Sequence, residues 1–399
     1  MSSVNKMGSL KDKKVAWLVT SMGYGDSLMY WENILQQYLK LFPGLRVFAS
    51  EQKKTNPDVS LPFEYSVNLL KIPLGKGISG YNKQIILAKP GIIFQLYKYQ
   101  PDLIVISEFG ILSIYGLIAA AFSKRTKVLL LVENYPYQGL KIAKISVRKM
   151  IRKGVCYLSD SILTNNNKSK EFLINTIGVN PDKINVAPYL VSEIKEDRLT
   201  LIDDKKAATS PVIKQNNKVS FLYVGQLVTR KGVDKLVAAV SLLPQAYLDL
   251  LTIWIVGDGE QRGDLQQMVE DNDLQDIFVF YGKRPYQELA HYYAQADVFV
   301  LPTLNDYRAL VGFEALSYGL PILQSNLDGA VAEVVAEGEN GFSFDPYNIK
   351  ELSEKIAWFI DNKERLPDFS DYSYNLSKEY TLDKAVENLV TASNQVLSC

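Results

Sequence analysis

The sequence is poor in the residues that several functional classes require. It has one histidine and two cysteines, Cys156 and Cys399, in 399 residues, too few for a disulfide framework or a cysteine–histidine metal cluster. It has no net charge, with 44 basic and 44 acidic residues, so the whole chain offers no electrostatic case for nucleic acid as a partner. It also has no long apolar run. The most apolar stretch, residues 111–122, is too short to span a bilayer and predicts a buried helix. Residues 1–14 are polar and lack the apolar segment of a secretory signal. These absences predict a cytoplasmic protein, with peripheral contact at the inner face of a membrane left open.

What is present is ordinary for a globular chain, 47% hydrophobic and 22% charged. Its length exceeds what one core usually organises, so two domains are expected. The charge is unevenly divided. Residues 1–212 hold 29 Lys and Arg against 17 Asp and Glu, a surplus of 12, and the remainder carries the matching deficit, 15 against 27. A basic N-terminal half could attract an anionic acceptor or an inner-leaflet surface. Equally, two oppositely charged domains could attract each other.

Both halves alternate short apolar runs with helical patterns, which predicts doubly wound α/β domains with parallel sheets. Residues 15–20, 103–107, 127–133 and 161–164 predict buried strands in the first half. A polar stretch at 205–218, with Pro211, predicts a linker. Strands then follow at 219–224, 251–256, 277–281 and 298–301, with helices at 233–243, 261–270 and 310–318. The expected domains are residues 1–212 and 213–376. Residues 377–399 predict a terminal helix that could cross back to the first domain.

The segment Leu301 to Glu314, LPTLNDYRALVGFE, ends a buried strand, passes through a polar loop with Asp306 and enters a helix near Leu310. Unpaired N–H groups and the dipole make such a helix start a phosphate site. Glu314, about one turn in, could reach ribose hydroxyls. A second strand–loop–helix segment supplies the adjacent cations Arg230 and Lys231. Cations beside a diphosphate stabilise the charge that builds as a sugar departs, which can replace a metal ion. Taken singly, Asp306 could be a helix cap and the two cations a solvated turn.

Taken in order, these segments resemble glycosyltransferase family 4. The run comprises Gly225 to Lys231-Gly232, Gly257-Asp258-Gly259-Glu260, Gly282-Lys283-Arg284 and Ala296-Asp297. It continues through Asp306-x7-Glu314 with ALSYGLP at 315–321, Asp328-Gly329 to Glu333, and Glu339-Asn340-Gly341-Phe342. The resemblance covers most of the C-terminal half. It implies a GT-B fold, two Rossmann-like domains facing a central cleft, and metal-independent transfer of a sugar with retention of configuration. The acceptor would be a glycan, a lipid-linked molecule or a small molecule. No cofactor is implied, only a nucleotide sugar, UDP- or GDP-linked, as co-substrate. By the same resemblance Glu314 holds the donor ribose, and Asp306 contacts the transferred sugar. Ala309, Leu310 and Val311 line the diphosphate, Arg230 and Lys231 neutralise it, and Gly225, Gly257, Lys283 and Arg284 complete the donor site. The sequence departs from the family at Asp306 (usually Glu), Ala309 and Ala330 (usually Gly) and Gln226 (usually Arg). An epimerase of the same fold and a non-catalytic partner subunit are the alternatives.

The N-terminal half is less explicit. Gly23, Tyr24 and Gly25 lie between the first strand and first helix, where glycines permit close approach to a ligand or simply a tight turn. His291 falls in the other half, on a predicted helix. Glu108, Glu133 and Asn134 stand at predicted strand ends and are candidates to orient an acceptor hydroxyl. Tyr24, Tyr30, Trp31, Tyr135 and Tyr137 cluster near those ends, as sugar-stacking groups or as core. The basic stretch 141–153, KIAKISVRKMIRK, is either an interfacial helix on anionic lipid or a solvated one.

Overall fold

The computed structural model describes residues 11–19, 27–49, 63–65, 69–76, 82–88, 90–133, 146–192 and 217–398. The apolar runs become strands because an apolar side chain is favoured on both of their faces. Strand β1 (Lys14–Val19) sends Ala16 and Leu18 to one side and Val15, Trp17 and Val19 to the other, all buried. Helices cover both sides, so no polar alternation is required.

The first compact unit comprises residues 1–77, 82–191 and 382–399. Its sheet adds β2 (Gly44–Ala49), β3 (Phe63–Tyr65), β6 (Leu103–Ser107), β7 (Lys127–Val132), β8 (Ser161–Thr164) and β9 (Ile184–Val186). The strand order is β3-β2-β1-β6-β7-β8-β9, and every pairing is parallel. The strands β4 (Leu69–Lys76) and β5 (Asn82–Ala88) form a separate antiparallel ribbon. One sheet face packs against helices Gly91–Tyr99, Ile111–Ala121 and Ser146–Leu158. The opposite face packs against Ser27–Leu41 and the last helix, Leu382–Ser398. That last helix buries Val386, Leu389, Val390 and Val396, and Ser393 hydrogen-bonds Tyr38 at 2.7 Å. Trp17 meets Tyr38 edge to face at 5.1 Å beneath it, and Trp31 stacks on Tyr189.

The second unit, Ser192–Thr381, contains β10 (Val219–Val224), β11 (Leu251–Val256), β12 (Phe278–Gly282), β13 (Val298–Leu301), β14 (Ile322–Ser325) and β15 (Gly341–Phe344). Their order is β12-β11-β10-β13-β14-β15, again parallel throughout. Strand order reverses between β10 and β13 here, and between β1 and β6 in the first sheet. In open α/β sheets, ligands bind beyond the carboxyl ends of the strands at such a reversal.

Two boundaries differ from the sequence expectation. The division between units falls at Val191/Ser192, ahead of the polar stretch at 205–218. Ser192 already hydrogen-bonds Tyr286 and Glu314 of the second unit. The last helix starts at Leu382, not at residue 377. Residues Leu366–Ser377 form their own helix, followed by the turn Lys378–Tyr380 and extended Thr381.

Candidate active site

The loops that leave β10 and β13 flank the reversal in the second sheet, and they are stitched together. The carbonyl of Arg230 accepts hydrogen bonds from Leu304 N–H (2.8 Å) and Thr303 Oγ1 (3.0 Å). Gly232 takes a left-handed φ of 65°, and a Cβ there would lie 2.1 Å from the Pro302 carbonyl oxygen. The Lys231-Gly232 pair is therefore fixed by backbone geometry. It places Lys231, largely buried, on the short helix Thr229–Lys231. Gly225 and Gly257, at the ends of β10 and β11, approach equally closely, since a Cβ on Gly257 would fall 1.8 Å from Gly225 O.

This geometry brings together Asp306, Arg230 and Lys231. Lys231 Nζ donates to Asp306 Oδ2, and Arg230 Nη1 reaches the same oxygen at 3.2 Å. Burial pushes the Asp306 carboxyl up. The Lys231 and Arg230 charges and their hydrogen bonds outweigh it and hold the group below its ordinary value. The helix Leu310–Ser317 starts four residues further on. At its N-cap the Ala309 N–H is already taken by Asp328 Oδ1 at 3.2 Å. The next two N–H groups, of Leu310 and Val311, meet no acceptor among the described residues. An anion is the natural partner for them.

Glu314 lies inside the unit and is 1% exposed. Three hydroxyl groups surround it. Ser192 Oγ and Tyr286 Oη donate to Oε1, and Tyr293 Oη donates to Oε2 at 2.8 Å. Burial raises its carboxyl above the usual range, and the three hydrogen bonds offset part of that rise.

Several site residues escape sequence reasoning. Asp328, fully buried after β14, accepts from Ala309 N–H and Ala330 N–H (2.7 Å) through Oδ1, and from Gln324 Nε2 (3.1 Å) through Oδ2. It pairs in backbone register with Asp306. Burial and the neighbouring Asp306 charge push its carboxyl up to about 7, against the pull of the two N–H groups and Lys231. Arg308, within the Asp306 loop, forms a buried ion pair with Glu333, Nη2 to Oε2 at 2.8 Å, and lies over the Phe313 ring. In the sequence, Asp328-Gly329 is part of the family run but carries no site role, because its pairing with Asp306 depends on β13 and β14 being neighbours.

Other expected site residues are placed apart. Lys283 is exposed on the loop after β12, with β11 between that strand and β10. Arg284 beside it turns back, donating to the Tyr281 carbonyl at 3.1 Å and facing Glu288 at 3.8 Å. His291 is half-buried on helix Leu289–Gln295. In the first unit Glu108 sits at the reversal of the sheet with a φ of 59°. Its side chain is buried, and Oε1 accepts the Glu133 N–H at 2.6 Å, so it braces the end of β7. Gly23, Tyr24, Gly25, Asn134, Tyr135 and Tyr137 lie outside the described residues.

Residues 204–376 match the family model described as glycosyl transferases group 1. The chain is 31% identical over 188 residues to an uncharacterized glycosyltransferase of Haemophilus influenzae, covering 47% of this chain and 51% of the relative. It is 24% identical to sulfoquinovosyl transferase SQD2 of Arabidopsis thaliana, over 81% of this chain and 58% of that one. The chain thus spans little more than half the length of these relatives. Among solved structures, Anabaena Alr3699/HepE in complex with UDP superposes with a TM-score of 0.73 at 17% identity, covering 96% of this chain and all of that one. The same Anabaena protein is also solved with UDP-glucose. The fold expected from the sequence, two doubly wound parallel-sheet units of the GT-B type, is the one observed. In sequence over its second unit, and in fold over nearly its whole length, the chain is similar to glycosyltransferases.

Proposed function

We propose that this protein is a metal-independent, retaining glycosyltransferase that takes a UDP- or GDP-linked sugar at the sheet reversal of the second unit. One observation carries the reading. Asp306, Arg230 and Lys231 converge at the β10/β13 reversal, beside two N–H groups that open a helix. A donor diphosphate bound to Leu310 and Val311 N–H draws the two cations away from Asp306. Arg230 and Lys231 then neutralise the charge that develops on the leaving nucleotide. Asp306, released, faces the transferred sugar. The acceptor oxygen bonds to the anomeric carbon as the bond from that carbon to phosphate oxygen breaks, and the acceptor proton passes to the departing phosphate.

Glu314 supports the same reading. A ribose presents two adjacent hydroxyls, the chemistry that Ser192 and Tyr286 already offer to this carboxylate. The named neighbours support a nucleotide-sugar donor, because the Anabaena protein is solved with UDP and with UDP-glucose. The acceptor class is a glycan, a lipid-linked molecule or a small molecule.

The test is binding and turnover of UDP-, GDP- and ADP-sugars without added metal, by wild type, Glu314→Gln and Asp306→Asn. The expected result is selective binding of one donor, weakened in Glu314→Gln. Asp306→Asn should retain donor affinity while transfer and slow donor hydrolysis fall about a hundredfold or more. A folded protein that binds no nucleotide sugar ends the proposal. A product that keeps its nucleotide, formed without an acceptor, replaces it with epimerisation.

A further inference from the structure

Three neighbouring helices cover one face of the first unit's sheet, with Ile111–Ala121 packed between Gly91–Tyr99 and Ser146–Leu158. Their buried sides hold Ile92, Leu96, Leu112, Leu117, Val155 and Cys156 in the core. Their outward sides are unusual. Phe94 (71% exposed) and Tyr97 project from the first helix, and Ile118 and Phe122 (68%) from the second helix and its end. Met150, Ile151, Tyr157 (78%) and Leu158 project from the third. These eight are all the exposed large apolar side chains of this unit among the residues whose side chains are described. Scattered single apolar residues need no explanation, but a concentration on one face does.

The charges on this face have one sign. The three helices, with the turn 122–125 that follows the second, contain Lys98, Lys124, Arg125, Arg148, Lys149, Arg152 and Lys153, and no aspartate or glutamate. Lys98, Lys124, Arg125, Lys149 and Lys153 are exposed. At the margin of the face Arg125 reaches Asp102 and Lys127 reaches Asp160, just past the third helix, each at 3.5 Å. The opposite face of the same sheet serves as an internal comparison. Helices Ser27–Leu41 and Leu382–Ser398 carry Lys40 and Lys384 against Glu32, Asp383 and Glu387, and none of the exposed large apolar residues lies there over residues 31–41 and 382–398. Among the described residues no helix is long and apolar enough to cross a membrane.

We infer that this three-helix face docks on the surface of an anionic lipid bilayer. The combination points to lipid rather than to a second copy of the chain. Helices that carry cations and no acidic residue would face their own copies across a two-fold interface, where like charges repel. An anionic headgroup layer attracts them while aromatic and aliphatic side chains enter the acyl boundary. Lysine and arginine stems lie along the apolar patch with their charged ends among the headgroups. The inference concerns adsorption and is independent of the proposed reaction.

The experiment is vesicle co-sedimentation of the full chain with phosphatidylcholine alone and with about a third phosphatidylglycerol. Binding is expected only to the anionic vesicles, and should weaken as salt rises above about 0.15 M, where the Debye length is about 8 Å. Lys149→Glu/Lys153→Glu should lower partitioning by at least about tenfold, since each cation near such a surface counts. Phe122→Ser/Leu158→Ser should bind weakly and dissociate fully in high salt. Both pairs alter exposed side chains only, and circular dichroism confirms their fold. Equal binding to neutral vesicles, or undiminished binding of the charge-reversed variant, overturns the inference. So does concentration-dependent self-association, abolished by Phe122→Ser/Leu158→Ser, in a protein that ignores vesicles.

Discussion

Replacing Asp328 by asparagine should stabilise the protein, and increasingly so as pH rises. The carboxyl is buried beside the Asp306 charge and is pushed from its ordinary 3.8 to about 7. Below pH 4 the folded and unfolded chains both hold the proton, and burial of the acid carries no pH-dependent cost. Between 4 and 7 the unfolded chain releases the proton while the folded chain retains it, so stability falls with pH. Above 7 the loss is constant. Each tenfold change in proton affinity is worth about 1.4 kcal/mol, which gives about 4 kcal/mol in all. At pH 5 the loss is about 2 kcal/mol. Asp328→Asn removes this loss without removing the contacts. The amide oxygen still accepts from Ala309 and Ala330 N–H. Gln324, whose Oε1 has no hydrogen-bond partner, can turn its amide to accept from the new NH2 group. Thermal unfolding of both proteins at pH 5, 6, 7 and 8 is the assay. The variant's advantage should widen by about 2–3 kcal/mol from pH 5 to 8, or roughly 5–10 °C for a domain of this size. Parallel curves, or a variant less stable at pH 8, would refute the assignment of a raised carboxyl to Asp328.

Other perturbations have defined outcomes. Arg308→Ala strands the buried Glu333 carboxylate and should cost about 3–5 kcal/mol, whereas Arg308→Met/Glu333→Leu should recover most of that loss; thermal unfolding distinguishes the two. Gly232→Ala sets a Cβ against the Pro302 carbonyl in a left-handed conformation, and should lower stability by roughly 2–5 kcal/mol in the same assay. If ribose displaces the Ser192 hydroxyl from Glu314, Ser192→Ala should bind the donor at least as tightly as wild type by calorimetry. A large loss of affinity would instead make Ser192 a donor contact.

The legibility of this protein in its sequence follows from the range of the interactions involved. Parallel strands buried on both faces leave continuous apolar runs, so 219–224 and 251–256 coincide with β10 and β11. Lys231-Gly232 and Asp306 were recognisable because each lies on one short strand–loop–helix segment. The place of Asp328 beside Asp306 was not, because it depends on β14 lying beside β13. The hydroxyl shell of Glu314 draws on residues 192, 286 and 293, far apart in the chain. Arg308 resembles a solvent-facing charge until Glu333 and Phe313 are folded against it. Glu108 shows the same limit. Its strand-end position suggested contact with an acceptor, yet its carboxylate is turned inward to hold the Glu133 backbone. Local pattern identifies the loop, and only the tertiary arrangement fixes what each side chain faces.

The helix Leu382–Ser398 has a consequence for biosynthesis. It is the last element described and yet supplies Leu389, Val390 and Val396 to the core of the first unit. On a ribosome, N-terminal domains generally fold as units while later residues are still being made. Here that order is blocked. The sheet face bearing Trp17, Val105 and Leu129 stays partly uncovered until nearly 200 further residues, the whole second unit, have been translated. At about 5–20 residues per second, that interval lasts roughly 10–40 seconds. A nascent chain with such an open apolar face is a natural chaperone client, and early termination anywhere in the second unit would leave two damaged domains instead of one.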